Sequence, residues 1–180
     1  IAGNTATGNG GGLYRGGGTV RPRNTLLASN TGAGVFDDCS TNSDAGVDSE
    51  GYNLVGINDG CANSFLATGD LVVTSGAPLA PGLDPLGANG GPTQTRALQA
   101  ASPAIDAGDP TGCVDDGGSL LTVDQRGSRR PAGGRCDIGA YEQPVAVTGT
   151  VVNRIVALVD GDPITMHEVS SFTTDDPRLA

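Results

Sequence analysis

The chain has 180 residues, of which thirty are Gly and eleven Pro, and only 3% are aromatic; this excludes a helical bundle, and the lack of a Gly-X-Y period excludes collagen. Ten basic residues, all Arg, stand against twenty acidic ones for a net charge of −10, so neither nucleic acid nor an anionic lipid surface is an expected partner. No apolar run approaches the length of a membrane span.

The opening Ile1-Ala2-Gly3-Asn4 reads as the middle of a repeat rather than a signal peptide, and the sequence is expected to be an internal fragment. Gly12-Leu13-Tyr14 recurs as Gly34-Val35-Phe36, a shift of 22 positions, and Asn4-Thr5 is echoed by Asn30-Thr31. A period in the low twenties suits one coil of a solenoid, so Tyr14 and Phe36 are expected to stack on adjacent rungs. Between the copies, Val20, Pro22, Asn24, Leu26 and Ala28 fall on the inward face of an extended segment, with Thr19, Arg21, Arg23, Thr25 and Leu27 on the other. Asn24 and Asn30 are either amide ladders at the turns or ordinary exposed turn residues.

From Asp37 to Asp59 a polar stretch surrounds one short strand, Tyr52-Asn53-Leu54-Val55. Asp37, Asp38, Asp44, Asp48 and Glu50 have the oxygen chemistry of a calcium loop, yet they lack the alternate spacing about a Gly turn, so a solvated acidic loop is the expected reading and no cofactor is assigned. Leu71-Val72-Val73-Thr74 is the next strand.

Four cysteines form two sequence-local pairs, Cys39 with Cys61 and Cys113 with Cys136. Their spacing and the single His argue against a zinc site. Two disulfides are the expected use, each worth roughly 3 kcal/mol by loop entropy, and they imply an oxidising compartment; buried free thiols are the alternative.

From Asp84 onward, short apolar pairs sit between turn formers: Asn89-Gly90-Gly91-Pro92, then Ser102-Pro103, then Asp106-Ala107-Gly108-Asp109. Such a segment is expected to wrap an end, with Leu98, Ile105, Leu120, Val123 and Ile138 as its buried anchors. Asp106, Asp109, Asp115 and Asp116 face Arg126, Arg129, Arg130 and Arg135 as surface or half-buried ion pairs, and Asp124 with Arg126 holds a turn. The ordered words DPLGANGGPTQTRAL, SPAIDAGD, DQRGSRRP and CDIGAYE resemble the choice-of-anchor Q domain of bacterial surface proteins. That resemblance implies an all-β fold: right-handed parallel β-helix coils over 1–83, a closing segment over 84–142, and a cell-surface or extracellular bacterial location with no shared catalytic set.

Beyond the Gln143-Pro144 linker, residues 143–180 form a tail. Val145 to Val159 is the most β-prone stretch, Asp160-Gly161 signals a hairpin turn, and Thr165-x-x-Glu168 has the capping-box form that starts a helix at Met166. Its VNRIVALVDGDPITMHEV resembles the start of SurA-type periplasmic chaperones, which implies a periplasmic location; no catalytic residue carries over, and His167 is read as inert.

The expected function is structural or adhesive and non-catalytic, with neutral glycans or cell-surface proteins as partners and Tyr14, Asn24 and Asn30 as candidate glycan contacts. The alternatives are a fragment of a β-helix polysaccharide lyase or hydrolase whose active coils lie upstream, or an envelope protein joined to a chaperone segment. Lyase or hydrolase chemistry needs carboxylates converging on one strand face, whereas these Asp residues lie in loops.

Overall fold

Frequent Gly and Pro cut the apolar runs into pieces of two or three residues, and the strands are correspondingly short. The computed structural model describes residues 1–33, 37–42, 46–145, 155–159 and 162–165. Its strands are β1 (Leu13–Arg15), β2 (Leu26–Leu27), β3 (Cys39–Thr41), β4 (Leu54–Val55), β5 (Leu71–Val72), β6 (Ile155–Val159) and β7 (Asp162–Thr165). Strands β1 and β3 pair in parallel, and β2, β4 and β5 form a three-stranded parallel sheet in that order. Among the described residues no helix is long and apolar enough to cross a membrane.

The register decides the packing. Leu26, Leu54 and Leu71 align across the sheet, as do Leu27, Val55 and Val72, and successive strand residues point to opposite faces. One row packs with Ala28, Leu98, Ala104 and Ile138; the other packs with Cys39, Val47, Cys61 and Phe65. The sheet is therefore a wall between two apolar clusters, covered on both faces as parallel sheets usually are.

Several expectations are corrected here. The sheets are small and are not closed into a solenoid, so the right-handed β-helix does not describe this chain. Successive parallel contacts lie 26, 28 and 17 residues apart, and such unequal lengths cannot stack as equal coils. The 22-residue shift is replaced by one of 26, because Leu13 pairs with Cys39 and Tyr14 with Ser40; Phe36 lies outside the described residues. Leu27 is buried rather than outward, because the alternation argument assumed one solvated face and this sheet has none.

The segment from Asp84 covers the Leu26 face instead of wrapping an end. Ile138 N–H donates to the Ala104 carbonyl and Gly139 N–H to that of Asn24, both at 2.9 Å. Leu98 and Ile138 are buried and Ile105 is half-buried. Leu120 and Val123, however, are 63% and 51% exposed. They belong to narrow antiparallel ribbons, with bridges Val114 to Leu120 and Val123 to Arg129, whose outer side chains meet solvent.

Disulfides join Cys39 to Cys61 and Cys113 to Cys136. Both suit an oxidising, non-cytoplasmic compartment. Two glycines of the sequence motifs have steric reasons. A Cβ on Gly12 would lie 2.5 Å from Asn30 Nδ2 and 2.7 Å from the Asp38 carbonyl; Gly91 has φ +75°, and a Cβ there would lie 2.6 Å from Arg126 Cα.

The chain divides into two compact units, Ile1–Val145 and Ala146–Ala180. In the second, β6 and β7 form an antiparallel hairpin with Val159 opposite Asp162 and Ile155 opposite Thr165. The Asp160-Gly161 turn, the helix start at Met166 and His167 lie outside the described residues.

Candidate functional site

Three groups of polar residues and one cleft carry the chemistry of the first unit. The first group is a pair of buried asparagines. Asn30, 5% exposed, donates from its backbone N–H and from Nδ2 to Asp38 Oδ1 at 2.8 and 2.9 Å. Its Oδ1 accepts from Asn4 Nδ2 at 2.9 Å, an amide-to-amide link between neighbouring segments. Asn53 does the same one strand along: Oδ1 accepts from Thr25 N–H, and Nδ2 donates to the Pro22 carbonyl, Ser49 Oγ and Asp70 Oδ1. Burial pushes the Asp38 carboxyl above its ordinary pKa, and the bonds from Asn30 and Ile57 only partly oppose it.

Of the three residues expected to contact glycans, these bonds remove one. Asn30 is buried and both ends of its amide are engaged. Asn24 is half-buried in the left-handed region at φ 48°. Its Oδ1 accepts from Asp109 N–H at 2.8 Å, so it ties down the covering segment rather than stacking with Asn30. Tyr14 alone stands out, 53% exposed, with its hydroxyl bonded to Asn42 Oδ1.

The second group is a latch built from the words Asp124-Gln125-Arg126 and Cys136-Asp137 to Tyr141-Glu142. Arg126 Nε and Nη2 donate to Asp124 Oδ2 at 2.9 and 2.7 Å, its Nη2 also reaches the Glu142 carbonyl, and its guanidinium lies 3.6 Å from the centre of the Tyr141 ring. Arg130 Nε donates to Glu142 Oε2 at 2.8 Å, and its Nη2 to the carbonyls of Asp137 and Gly139. The carboxylates in turn accept backbone N–H groups: Asp124 from Arg126, Ser128 and Glu142, Glu142 from Ala132 and Asp137, and Asp137 from Asp106 and Gln143. Burial alone would raise the Asp124 carboxyl, but the bonds from Glu142, Arg126 and Ser128 outweigh it and hold the pKa low. Burial raises Asp137, helped by the neighbouring carboxylates Glu142 and Asp106.

The third group, the acidic loops, serves turns. Asp37 Oδ1 accepts from Gly32 N–H, Glu50 pairs with Arg23 at 3.3 Å, and Asp48 is exposed; Asp44 lies outside the described residues. Asp109 bonds Thr111, Asp115 bonds the N–H groups of Gly117 and Ser119, and Asp116 is exposed. Among the described residues no three His, Cys, Asp or Glu side chains form a metal-holding group.

The cleft, of about 490 Å³, opens between residues 23–26 and the covering segment. Leu26, Leu98 and Ile138 supply apolar lining, and Arg23 and Arg96 supply charge. Nothing in the sequence points to it, because its walls come from stretches as far apart as Ile1 and Tyr141 and no local pattern joins them. Comparison with protein-family models, with curated proteins and with solved structures found no match to this chain.

Proposed function

We infer that this chain is a non-catalytic structural or adhesive module of a secreted or cell-surface protein, bacterial by its resemblance to choice-of-anchor Q chains. The observation that carries this reading is the allocation of the buried carboxylates: Asp38, Asp124, Asp137 and Glu142 direct their oxygens at N–H groups of the fold. An acid–base pair needs a carboxyl within reach of a substrate proton. Here the carboxyls hold backbone instead. Adhesion falls to the exposed Tyr14 of β1, which offers a ring face, and to the exposed Asn42 just after β3, which offers an amide to a neutral sugar. The reading is tested by glycan-array binding and by incubation with pectin and alginate. Neutral-glycan retention that drops in Tyr14→Ala, with no release of reducing or unsaturated ends, is the expected result. Cleavage that vanishes in Asp106→Ala or Asp115→Ala would overturn it.

A further inference from the structure

The cleft beside β2 is chemically unlike the chain as a whole. Its lining includes Arg23, Arg96 and Arg130 and no Asp or Glu, in a chain with twice as many acidic as basic residues. Arg130 is committed to Glu142, and Arg23 is bridged to Glu50, but its Nε is buried with no partner, as is Nδ2 of Asn24 on the same wall. Among the described residues Arg96 has no carboxylate partner; its Nη1 bonds the Asp84 carbonyl at 3.3 Å. Leu26, Leu98 and Ile138 give the cleft an apolar surface, and Leu86 and Leu121, both exposed, add to it. A concave, mainly apolar site of roughly 300–1,000 Å³ with a few placed polar groups is the usual form of a small-ligand site.

We propose that this cleft binds a small amphipathic anion, an unbranched acyl carboxylate whose chain lies along half-buried Leu83 and exposed Leu86 and Leu121, over the buried Leu26, Leu98 and Ile138, and whose carboxylate meets Arg96. The charge argument selects the head group: an ammonium would face cations with no counter-charge in the lining, and a neutral head would leave Arg96 without an anion. A carboxylate accepts the planar donors of a guanidinium at two oxygens. The net charge of −10 slows arrival of such an anion at low salt, but at physiological ionic strength the field is screened within about 8 Å and the local cations decide. A single anion in a cleft is a different partner from an anionic lipid surface, which the overall charge still disfavours. This inference stands apart from the adhesive reading, whose residues are Tyr14 on β1 and Asn42 after β3.

Three probes share one tail and differ in head: dodecanoate, dodecyltrimethylammonium and dodecyl maltoside, each used below its micellar concentration. Calorimetry is expected to show one dodecanoate per chain, with the ammonium and maltoside probes weaker by about tenfold, the scale of a lost charge-assisted bond. Arg96→Gln should weaken dodecanoate by a similar factor, leave the maltoside unchanged and bring the ammonium no loss, since it removes one of the cations that probe faces, while Leu121→Ala, which removes apolar surface without adding charge, should weaken all three. Both positions are partly or largely exposed, so a thermal melt distinguishes lost binding from lost fold. Methyl shifts largest at Leu83, Leu86 and Leu121 place the ligand. Equal binding of all three probes, preference for the maltoside, an unchanged Arg96→Gln, or no binding overturns the proposal. So does a chain that sediments as a dimer and dissociates on adding dodecanoate, because the cleft would then belong to a second copy.

Discussion

The sheet wall and the latch hold one unit together by opposite means. Around Leu27, Val55 and Phe65 the interior is dry and apolar, and its stability scales with area removed from water. Between Asp124 and Gln143 the interior is charged: two Arg and three carboxylates occupy what would otherwise be core. Apolar contacts tolerate a changed shape at moderate cost. A buried charge tolerates almost nothing, because a lost partner leaves it unsolvated and unpaired.

The largest effect should therefore come from breaking the latch. Arg130→Ala strands Glu142 and is expected to cost about 3–5 kcal/mol in urea denaturation, whereas the paired change Arg130→Met with Glu142→Leu should recover only part of that, because the N–H groups of Ala132 and Asp137 and the carbonyls of Asp137 and Gly139 lose partners too. If the single change costs under about 1 kcal/mol, the charged interior is incidental. In the wall, Leu54→Ala leaves a cavity between β2 and β5 and should cost about 2–5 kcal/mol by the same assay, with no partner change able to rescue it. Replacing Cys39 and Cys61 together by Ser releases a loop with a sequence separation of 22 and should cost about 3 kcal/mol. The fully reduced wild-type protein should melt still lower, since it loses Cys113–Cys136 as well.

Acid separates the buried carboxylates by sign, even within the latch. Asp124 has a lowered pKa in the fold, so its contribution is complete above the unfolded value of about 3.9 and disappears as pH falls through the lower folded one. Asp38 and Asp137 have raised pKa values, so the folded chain holds those protons more tightly than the unfolded one does. Their contribution is complete below about 3.9 and declines as pH rises through the folded value. Asp38→Asn, which keeps an acceptor for Asn30, should abolish part of the stability lost as pH rises from about 4 through the folded value. Parallel pH–denaturation curves for variant and wild type would refute the assignment to Asp38.

Sequence patterns located what depends on neighbours along the chain. Strands were expected over Tyr52-Asn53-Leu54-Val55 and Leu71-Val72-Val73-Thr74, of which only Leu54-Val55 and Leu71-Val72 form; the two cysteine pairs and the Asp124–Arg126 turn were visible because each is fixed by residues within about two dozen positions. The failures have a common cause. Leu27, Leu120 and Val123 were assigned to faces by alternation, which specifies that two faces differ but not what lies against each. Asn30 looked like a surface turn residue, since nothing local reveals the Asp38 beneath it. The 22-residue period came from matching Gly-Leu-Tyr to Gly-Val-Phe, while the true register follows the Asn4–Asn30 link and the pairing of Leu13 with Cys39. The glycine-rich words were recognisable as a set, yet their purpose became evident only with Gly91 against Arg126 and the motif carboxylates on backbone N–H groups.

The bond from Asp109 N–H to Asn24 spans 85 positions, far more than the 17 to 28 that separate successive parallel segments. Closing a longer loop costs more chain entropy, by about 0.6 kcal/mol per doubling, and contacts distant in sequence slow the formation of whatever depends on them. The wall can thus assemble in sequence as the chain is delivered across a membrane, each new strand adding to the last. The cover, by contrast, must wait until its own far end has arrived. During that wait the Leu26 face is bare, and pulse-labelled amide exchange should find Leu54 protected before Gly139. The time spent uncovered then sets how long this apolar face is open to association with other chains.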